Sequence, residues 1–123
     1  QALADAWPRL AGRVTFVARA MEDADIAIVD TDVVVSIHAC GALTDVVLER
    51  AAAARARVAV LPCCQDLAAC DAGALSGWLD GPAAVDVVRA MRLAQQGYRI
   101  WTQTIPAEIT PKNRLLLGAF RVD

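Results

Sequence analysis

One run of seven residues, Asp32-Val-Val-Val-Ser-Ile-His38, constrains the fold of this chain more than any other feature. The run is nearly continuous in apolar and β-branched residues, which is typical of a central strand in a parallel sheet. A second run, Arg57–Pro62, has the same character and ends at a proline. Because 57% of all residues are hydrophobic, the sequence favours a sheet that is buried on both faces.

Three further segments have the composition of strands. Val14–Ala18 is a short β-branched and aromatic run, and Tyr98–Ile105 and Arg114–Val122 are the last two. The linker between those two, residues 106–113, is too short for a helical crossover. We therefore expect the final pair of strands to be antiparallel.

A first helix is predicted between the two apolar runs. Gly41 breaks the first run, and Thr44 or Asp45 offers an N-cap or a first-turn acid for a helix to about Arg55. Strand-like and helix-like segments thus alternate along the chain, which is the pattern of an α/β sheet with crossover helices.

A second helix is predicted from Pro82 through Gln96, with Gly97 as its left-handed stop. Arg89 and Arg92 are expected to face water on this helix, and its apolar residues keep roughly helical spacing: Val85, Val88, Met91 and Leu93. The preceding residues, 65–81, contain three glycines and predict an irregular lid with a helical turn.

The charge and hydropathy of the chain exclude some classes of function. A formal charge of −2 and a pI near 5.3 give no electrostatic footprint for a nucleic acid. No apolar run approaches the roughly 18 residues that span a bilayer, and the start does not have the organisation of a signal peptide. The sequence predicts a cytoplasmic protein without a membrane segment. Because it starts at Gln1 rather than Met, we expect a fragment, a processed product or a trimmed chain.

The four cysteines have no C-x-x-C spacing. In a cytoplasmic protein, thiols, metal ligands or core packing are expected before disulfides. The adjacent pair Cys63 and Cys64 is expected to bind one tetrahedral ion poorly. Packing in a pocket is therefore preferred and no metal is assigned, with a thiol or metal site of Cys40, Cys63, Cys64 and His38 as the alternative.

Three segments together resemble one methyltransferase family. The first is a strand that ends in His38-Ala-Cys-Gly41, followed by Thr-Asp, and the second is a strand that ends in Pro62-Cys-Cys64. The third runs from Gly97-Tyr98 to Ile109-Thr-Pro-Lys-Asn-Arg-Leu-Leu-Leu-Gly118. They resemble the methyltransferase domain of the glutathione S-transferase C-terminal-domain-containing proteins and their bacterial relatives. The His-x-Cys-Gly element is also similar to that of tRNA 2′-O-methyltransferases.

The resemblance implies an α/β fold of the Rossmann-like methyltransferase class, in which a mostly parallel sheet of seven strands ends in an antiparallel hairpin. Residues 1–123 would form one partial domain, the C-terminal portion of a larger one, beginning just before the third strand. The Gly-rich turn that approaches the cofactor would precede it, since the sequence contains no G-x-G. We do not expect this chain to catalyse a reaction alone.

The candidate site residues lie at the ends of the predicted strands, because ligands of open parallel sheets bind outside the carboxyl ends of the strands. His38, the only histidine, is the candidate general base, with lining of the pocket as the alternative. The resemblance implies S-adenosylmethionine (SAM) as cofactor, in contact with Glu22, Asp23, His38, Ala39 and Gly41. The residues expected to face the substrate are Cys40, Pro62, Cys63, Cys64, Lys112, Asn113 and Arg114.

The leading hypothesis is a SAM-dependent methyltransferase, or a fragment of one, that acts on a small molecule or RNA. The alternative is a catalytically inactive methyltransferase-like binding module. Without a first strand beside it, the strand 33–37 would form an apolar edge. We therefore also expect a homo-oligomer, or pairing of another strand with residues 33–37.

Overall fold

The computed structural model describes residues 2–23 and 25–122; the predicted domain over residues 1–123 also includes Gln1, Ala24 and Asp123, which lie outside the described residues. The elements in chain order are helix α1 (Ala2–Ala6), a 3₁₀ turn (Pro8–Leu10), β1 (Val33–Ile37), α2 (Leu43–Ala53), β2 (Arg57–Leu61), α3 (Gly81–Gln95), β3 (Tyr98–Thr104) and β4 (Arg114–Phe120). The predicted strand–helix alternation after residue 32 is confirmed.

The four strands form one open mixed sheet in the order β1-β2-β4-β3. β1 and β2 are parallel, and β4 is antiparallel to both β2 and β3. The α/β class with a partial Rossmann-like sheet and the antiparallel hairpin are therefore confirmed. The carboxyl ends of β1, β2 and β3 and the start of β4 all lie on the same edge of the sheet.

The core lies between the sheet and the two long helices. Leu93 of α3 and residues of α2 pack with Val58, Val60 and Leu116 of the strands. Tyr98 is fully buried at the centre, and its hydroxyl donates to the carbonyls of Ala51 and Ala56 at 3.0 and 2.8 Å. These two bonds join β3 to the end of α2, so burial of the ring leaves no polar atom unpaired.

The opposite face of the sheet is exposed in the described part of the chain. Register aligns Val35, Ala59, Leu117 and Trp101 in one row across the four strands. Val35 at the β1 edge is 63% exposed, and Trp101 at the other edge is 42% exposed. The prediction of a sheet buried on both faces is therefore wrong for this structure, because α2 and α3 pack on the same face.

The predicted strand at Val14–Ala18 does not form. Residues 14–18 have no ladder partner, and Phe16 is 87% exposed. The segment that follows contacts α2 through the Arg50 side chain, which donates hydrogen bonds to the backbone carbonyls of Met21 and Ile26 at 2.8 and 3.1 Å. A β-branched composition predicts a strand only where a neighbouring strand supplies the hydrogen bonds.

The helices form where predicted, but the N-cap of α2 and the burial of two side chains of α3 differ from the prediction. Ala42 is the N-cap of α2, so neither Thr44 nor Asp45 caps it, although Asp45 does lie in the first turn. On α3, Met91 is exposed while Arg89 is buried, the reverse of the prediction. Arg89 is buried because carboxylates on α2 and α3 surround it, as described below.

Candidate functional site

The loops that follow β1 and β2 meet at the carboxyl edge of the sheet. The amide of Gly41 donates to the carbonyl of Cys64 at 2.7 Å, which joins the His38–Gly41 loop to the Pro62–Cys64 segment. Both loops follow directly from strands that pair in parallel register, with Ile37 opposite Leu61. Two motifs separated by some twenty residues in sequence are thus brought into contact by the sheet itself.

Two left-handed residues shape the His38–Gly41 loop. His38 has a φ of 63° and Gly41 a φ of 55°. The left-handed region costs a non-glycine residue about 1 kcal/mol, and such residues concentrate at functional sites. His38 is exposed at the end of β1, so its imidazole is accessible to a molecule bound at this edge.

Ala39 anchors this loop to the rest of the fold. Its side chain is buried, and its carbonyl accepts from the Thr44 hydroxyl at 2.6 Å. Thr44 is itself buried in the first turn of α2. The loop is therefore anchored at Ala39, between the exposed residues His38 and Cys40.

Three thiols lie together at the same edge. The Sγ atoms of Cys40, Cys63 and Cys64 are all within 4.8 Å of one another, and those of Cys40 and Cys63 are 3.3 Å apart. Cys63 is buried, whereas Cys40 and Cys64 are exposed. Burial, together with the two neighbouring thiols, raises the pKa of Cys63 to about 11. At neutral pH the Cys63 side chain is a protonated thiol.

Pro62 separates two cavities near the same edge. One cavity, of about 220 Å³, is lined on its far side by the β3–β4 turn with Lys112, Asn113 and Arg114. The other, of about 460 Å³, lies between α3, the end of β3 and the start of β4, and its lining is mostly apolar. Arg114 lines both cavities. The structure therefore brings Pro62 together with all three predicted substrate-facing residues of the hairpin turn.

The hairpin turn is held by specific polar contacts. Asn113 donates from its side-chain amide to the carbonyl of Ile105 at 2.8 Å, which closes the turn. Arg114 donates from Nε to Asp86 on α3 at 2.8 Å, and Gln65 donates to both oxygens of Asp86 at 3.0 Å. Asp86 thus connects the hairpin, α3 and the segment after Cys64.

Arg89 is the residue of this region whose role the sequence did not indicate. It is 2% exposed and donates to both carboxylate oxygens of Asp45, to the carbonyl of Gly41 at 2.8 Å and to the sulfur of Cys70 at 3.5 Å. Its Nη1 also lies 3.4 Å from Asp86. The sequence feature that points to this pair is Asp45, the acidic residue in the first turn of α2.

Glu22 and Asp23 lie apart from this cluster of loops. They occupy an exposed turn over residues 21–23, and Met21, not the two acids, lines a groove of about 360 Å³ beside β1. Arg50 also lines that groove. Glu22 and Asp23 therefore do not line the two cavities beside Pro62, and neither does the His38–Gly41 loop.

The edge combines an exposed imidazole, a thiol cluster and two cavities beside a hydrogen-bonded pair of loops. This arrangement can accept a ligand outside the carboxyl ends of parallel strands, the usual ligand position in open α/β sheets. None of the helices in residues 2–23 and 25–122 has the length and apolarity needed to cross a membrane.

Comparison with known proteins identifies the family. A family model described as a methyltransferase domain matches residues 3–71, more than half of the chain, and this range contains both the His38–Gly41 loop and the Pro62–Cys64 segment. No curated protein and no solved structure matches the chain. The chain therefore belongs to this methyltransferase domain family.

Proposed function

We propose that the chain is a SAM-dependent methyltransferase domain, related to the glutathione S-transferase C-terminal-domain-containing proteins, and that it acts in the cytoplasm. The observation that carries the proposal is the junction of the His38–Gly41 loop with the Pro62–Cys64 segment, through the 2.7 Å bond from Gly41 to Cys64. Family membership supports methyl transfer, and the junction supplies an edge at which a cofactor and an acceptor can be brought together.

The described residues fit one wall of a SAM site. The backbone turns twice through the left-handed region, at His38 and Gly41, and both His38 and Cys40 are exposed at this turn. The Ala39 amide and the backbone at Gly41 would line the cofactor there. The sequence supplies no G-x-G turn for a second wall. Glu22 and Asp23 are the proposed contacts of the adenine, and both are exposed in their turn. Bound SAM would supply the electrophilic methyl group.

His38 is proposed as the general base. Methyl transfer from a sulfonium depends mainly on alignment of the nucleophile with the methyl carbon, and a base helps where the acceptor loses a proton. The exposed imidazole at the end of β1 would take that proton through an unprotonated ring nitrogen. If His38 only lines the pocket, its removal would change binding rather than the chemical step.

The proposed acceptor is a small molecule held near Pro62. The apolar cavity of about 460 Å³ has the size of a small-ligand site. Lys112 and Arg114 would attract an anionic group of the acceptor, with Asn113 holding the turn that carries them. A net charge of −2 does not favour an RNA acceptor, whose binding would depend on neutralising phosphates.

The test is calorimetric titration of SAM into the chain, and into any longer natural form of it. We expect SAM to bind, and Gly41→Ala to weaken binding because alanine is strained at this φ. Gly12→Ala is the matched control, since Gly12 is also left-handed (φ 71°) and has open space around it. Absence of SAM binding by every form would refute the proposal.

His38→Asn separates the two roles of the histidine. Asparagine tolerates the left-handed conformation but cannot act as a base at neutral pH. In any longer natural form that transfers the methyl group from labelled SAM to pooled small-molecule or RNA acceptors, we expect transfer to fall about 100-fold or more. SAM affinity and the melting temperature should be unchanged. An unchanged rate would assign His38 to the pocket wall.

A catalytically inactive binding module is the second candidate, and the absence of a G-x-G turn from the sequence favours it. This candidate predicts binding of SAM or a related nucleoside without transfer to any acceptor. Methyl transfer by the same preparation that binds SAM would exclude it.

A further inference from the structure

The cluster of Cys40, Cys63 and Cys64 has a geometry that the proposed methyl transfer does not use. The three Sγ atoms come from the ends of two neighbouring strands and lie within 4.8 Å of one another. A tetrahedral zinc ion with Zn–S bonds of about 2.3 Å holds its sulfurs about 3.8 Å apart. The Cys40 and Cys63 sulfurs are 3.3 Å apart, about 0.5 Å closer than that value, and all three sulfurs lie within 4.8 Å of one another.

We propose that Cys40, Cys63 and Cys64 form a three-thiolate site for a thiophilic d¹⁰ metal ion, with Zn²⁺ as the expected occupant. Each thiol releases its proton to solvent and each sulfur donates an electron pair to the metal. The adjacent cysteines, expected from the sequence to bind one ion poorly, both present their sulfurs to Cys40. Soft thiolate ligands in such a set select zinc or copper(I) over magnesium or calcium.

The backbone around the cluster is already fixed. The Gly41 amide donates to the Cys64 carbonyl at 2.7 Å, so the loop that carries Cys40 is held against the segment that carries the other two. The Thr44 hydroxyl holds the Ala39 carbonyl on the other side of Cys40 at 2.6 Å. An ion would therefore bind to ligands that need small side-chain adjustments rather than refolding of a loop.

The burial of the three residues leaves one side of the site open. Cys63 is 5% exposed and forms the floor, whereas Cys40 and Cys64 are exposed and flank the entrance. Three protein ligands with a free fourth position are the arrangement of zinc sites that bind water or a substrate, while structural sites usually have four protein ligands. The fourth ligand of this ion would come from solvent or from a bound molecule.

Cobalt(II) is the probe for the test, because it replaces zinc and its spectrum reports both geometry and sulfur ligation. The chain is reduced, freed of reductant and titrated anaerobically with Co²⁺ alone. We expect a thiolate-to-cobalt charge-transfer band and tetrahedral d–d bands that saturate at one ion per chain and are bleached by Zn²⁺. Octahedral cobalt spectra without the charge-transfer band would overturn the proposal.

Variants assign the ligands. Cys40→Ser and Cys64→Ser alter exposed residues and should keep the fold, as circular dichroism can verify; each is expected to weaken Co²⁺ and Zn²⁺ binding by about tenfold or more. Cys70→Ser is the matched control, since Cys70 is a free cysteine outside the cluster and contacts Arg89 instead. Metal affinity that is equal in all three folded variants and the original chain would refute the site. These readouts need no SAM or methyl acceptor, so they stand or fall independently of the proposed methyl transfer.

Discussion

Arg89 of α3 binds the carboxylate of Asp45 on α2 through two hydrogen bonds, from Nε to Oδ1 at 2.9 Å and from Nη2 to Oδ2 at 2.8 Å. The same guanidinium reaches the Gly41 carbonyl at 2.8 Å. One buried side chain therefore fixes the two helices relative to each other and holds the loop at which we place the candidate site. A paired fork of this kind gives both orientation and strength.

Breaking this pair should be costly because the buried guanidinium of Arg89 loses its two-bond partner and keeps only the Asp86 carboxylate, at 3.4 Å. We expect Asp45→Asn to lower the free energy of unfolding by about 3 kcal/mol, as for other buried ion pairs that lose one member. Urea denaturation measures the change. Arg92→Ala is the control: Arg92 pairs with Asp71 but is about half exposed, so its loss should cost no more than about 1 kcal/mol. Equal effects of the two substitutions would contradict the assigned role of Arg89.

Gly118 of β4 is predicted to tolerate no side chain. A Cβ atom there would lie 2.7 Å from Cδ2 of Leu93, 3.1 Å from Tyr98 and 3.2 Å from Val58, all of them buried. We expect Gly118→Ala to destabilise the chain by about 1–3 kcal/mol through overpacking. At Gly77 a Cβ would meet no atom within 4 Å, so Gly77→Ala should change stability by less than about 0.5 kcal/mol. Thermal unfolding of both variants provides the comparison.

Alkaline pH should destabilise the fold through Cys63. Its pKa is about 11 in the folded chain against an ordinary value of 9.0, chiefly because the thiol is buried. Between pH 9 and pH 11 the Cys63 thiol is deprotonated in the unfolded chain but still protonated in the folded chain. The free energy of unfolding therefore keeps its full value below pH 9 and decreases as the pH rises toward 11. Burial also raises the pKa of Tyr98, which acts in the same direction.

Urea denaturation below and above pH 9 tests this dependence. Cys63→Ala should flatten the pH profile in the range between 9 and 11, leaving the contribution of Tyr98. Gly77→Ala should keep the original slope, since it removes no titratable group and a Cβ there meets no atom within 4 Å. A Cys63→Ala profile that is superimposable on that of the original chain would show that another group controls alkaline stability.

The edge strand β1 leads to a proposal about association. We propose that β1 pairs with another strand, and that in the isolated chain this is a strand of a second copy. In the described part of the chain β1 is an edge strand, and its apolar residues Val33, Val35 and Ile37 are exposed. Light scattering should show dimers or larger species, and Val35→Lys should shift them toward monomer. Gln103→Lys on β3, the opposite edge, should not. A monomer at every concentration would count against the pairing.

Local sequence patterns predicted the elements whose determinants are themselves local. The apolar runs at Val33–Ile37 and Arg57–Leu61 form paired strands, and α3 stops at Gly97, which adopts a φ of 90°. The N-cap of α3, Asp80, was not predicted, but its contact is local too: the carboxylate accepts from the amide of Ala83 at 2.9 Å. In each case the pattern and the structure depend on neighbours within a few residues of the chain.

What the sequence could not predict depends on distant partners. Arg89 is buried because Asp45, 44 residues earlier, faces it across the helix interface; a helical spacing rule alone places such a cation in water. Cys40 and Cys63 meet because two strands pair in a register that no local pattern specifies. Val14–Ala18 has the composition of a strand, yet no neighbouring strand pairs with it.

The one-sided packing of the sheet also determines how the chain responds to denaturant. Apolar area that is already in contact with water in the folded state, such as the row from Val35 to Trp101, is not newly exposed on unfolding. The urea m value and the heat capacity change should therefore be smaller than the length of 123 residues implies. Both quantities should rise when a partner covers that face, which makes calorimetry a sensor of binding there.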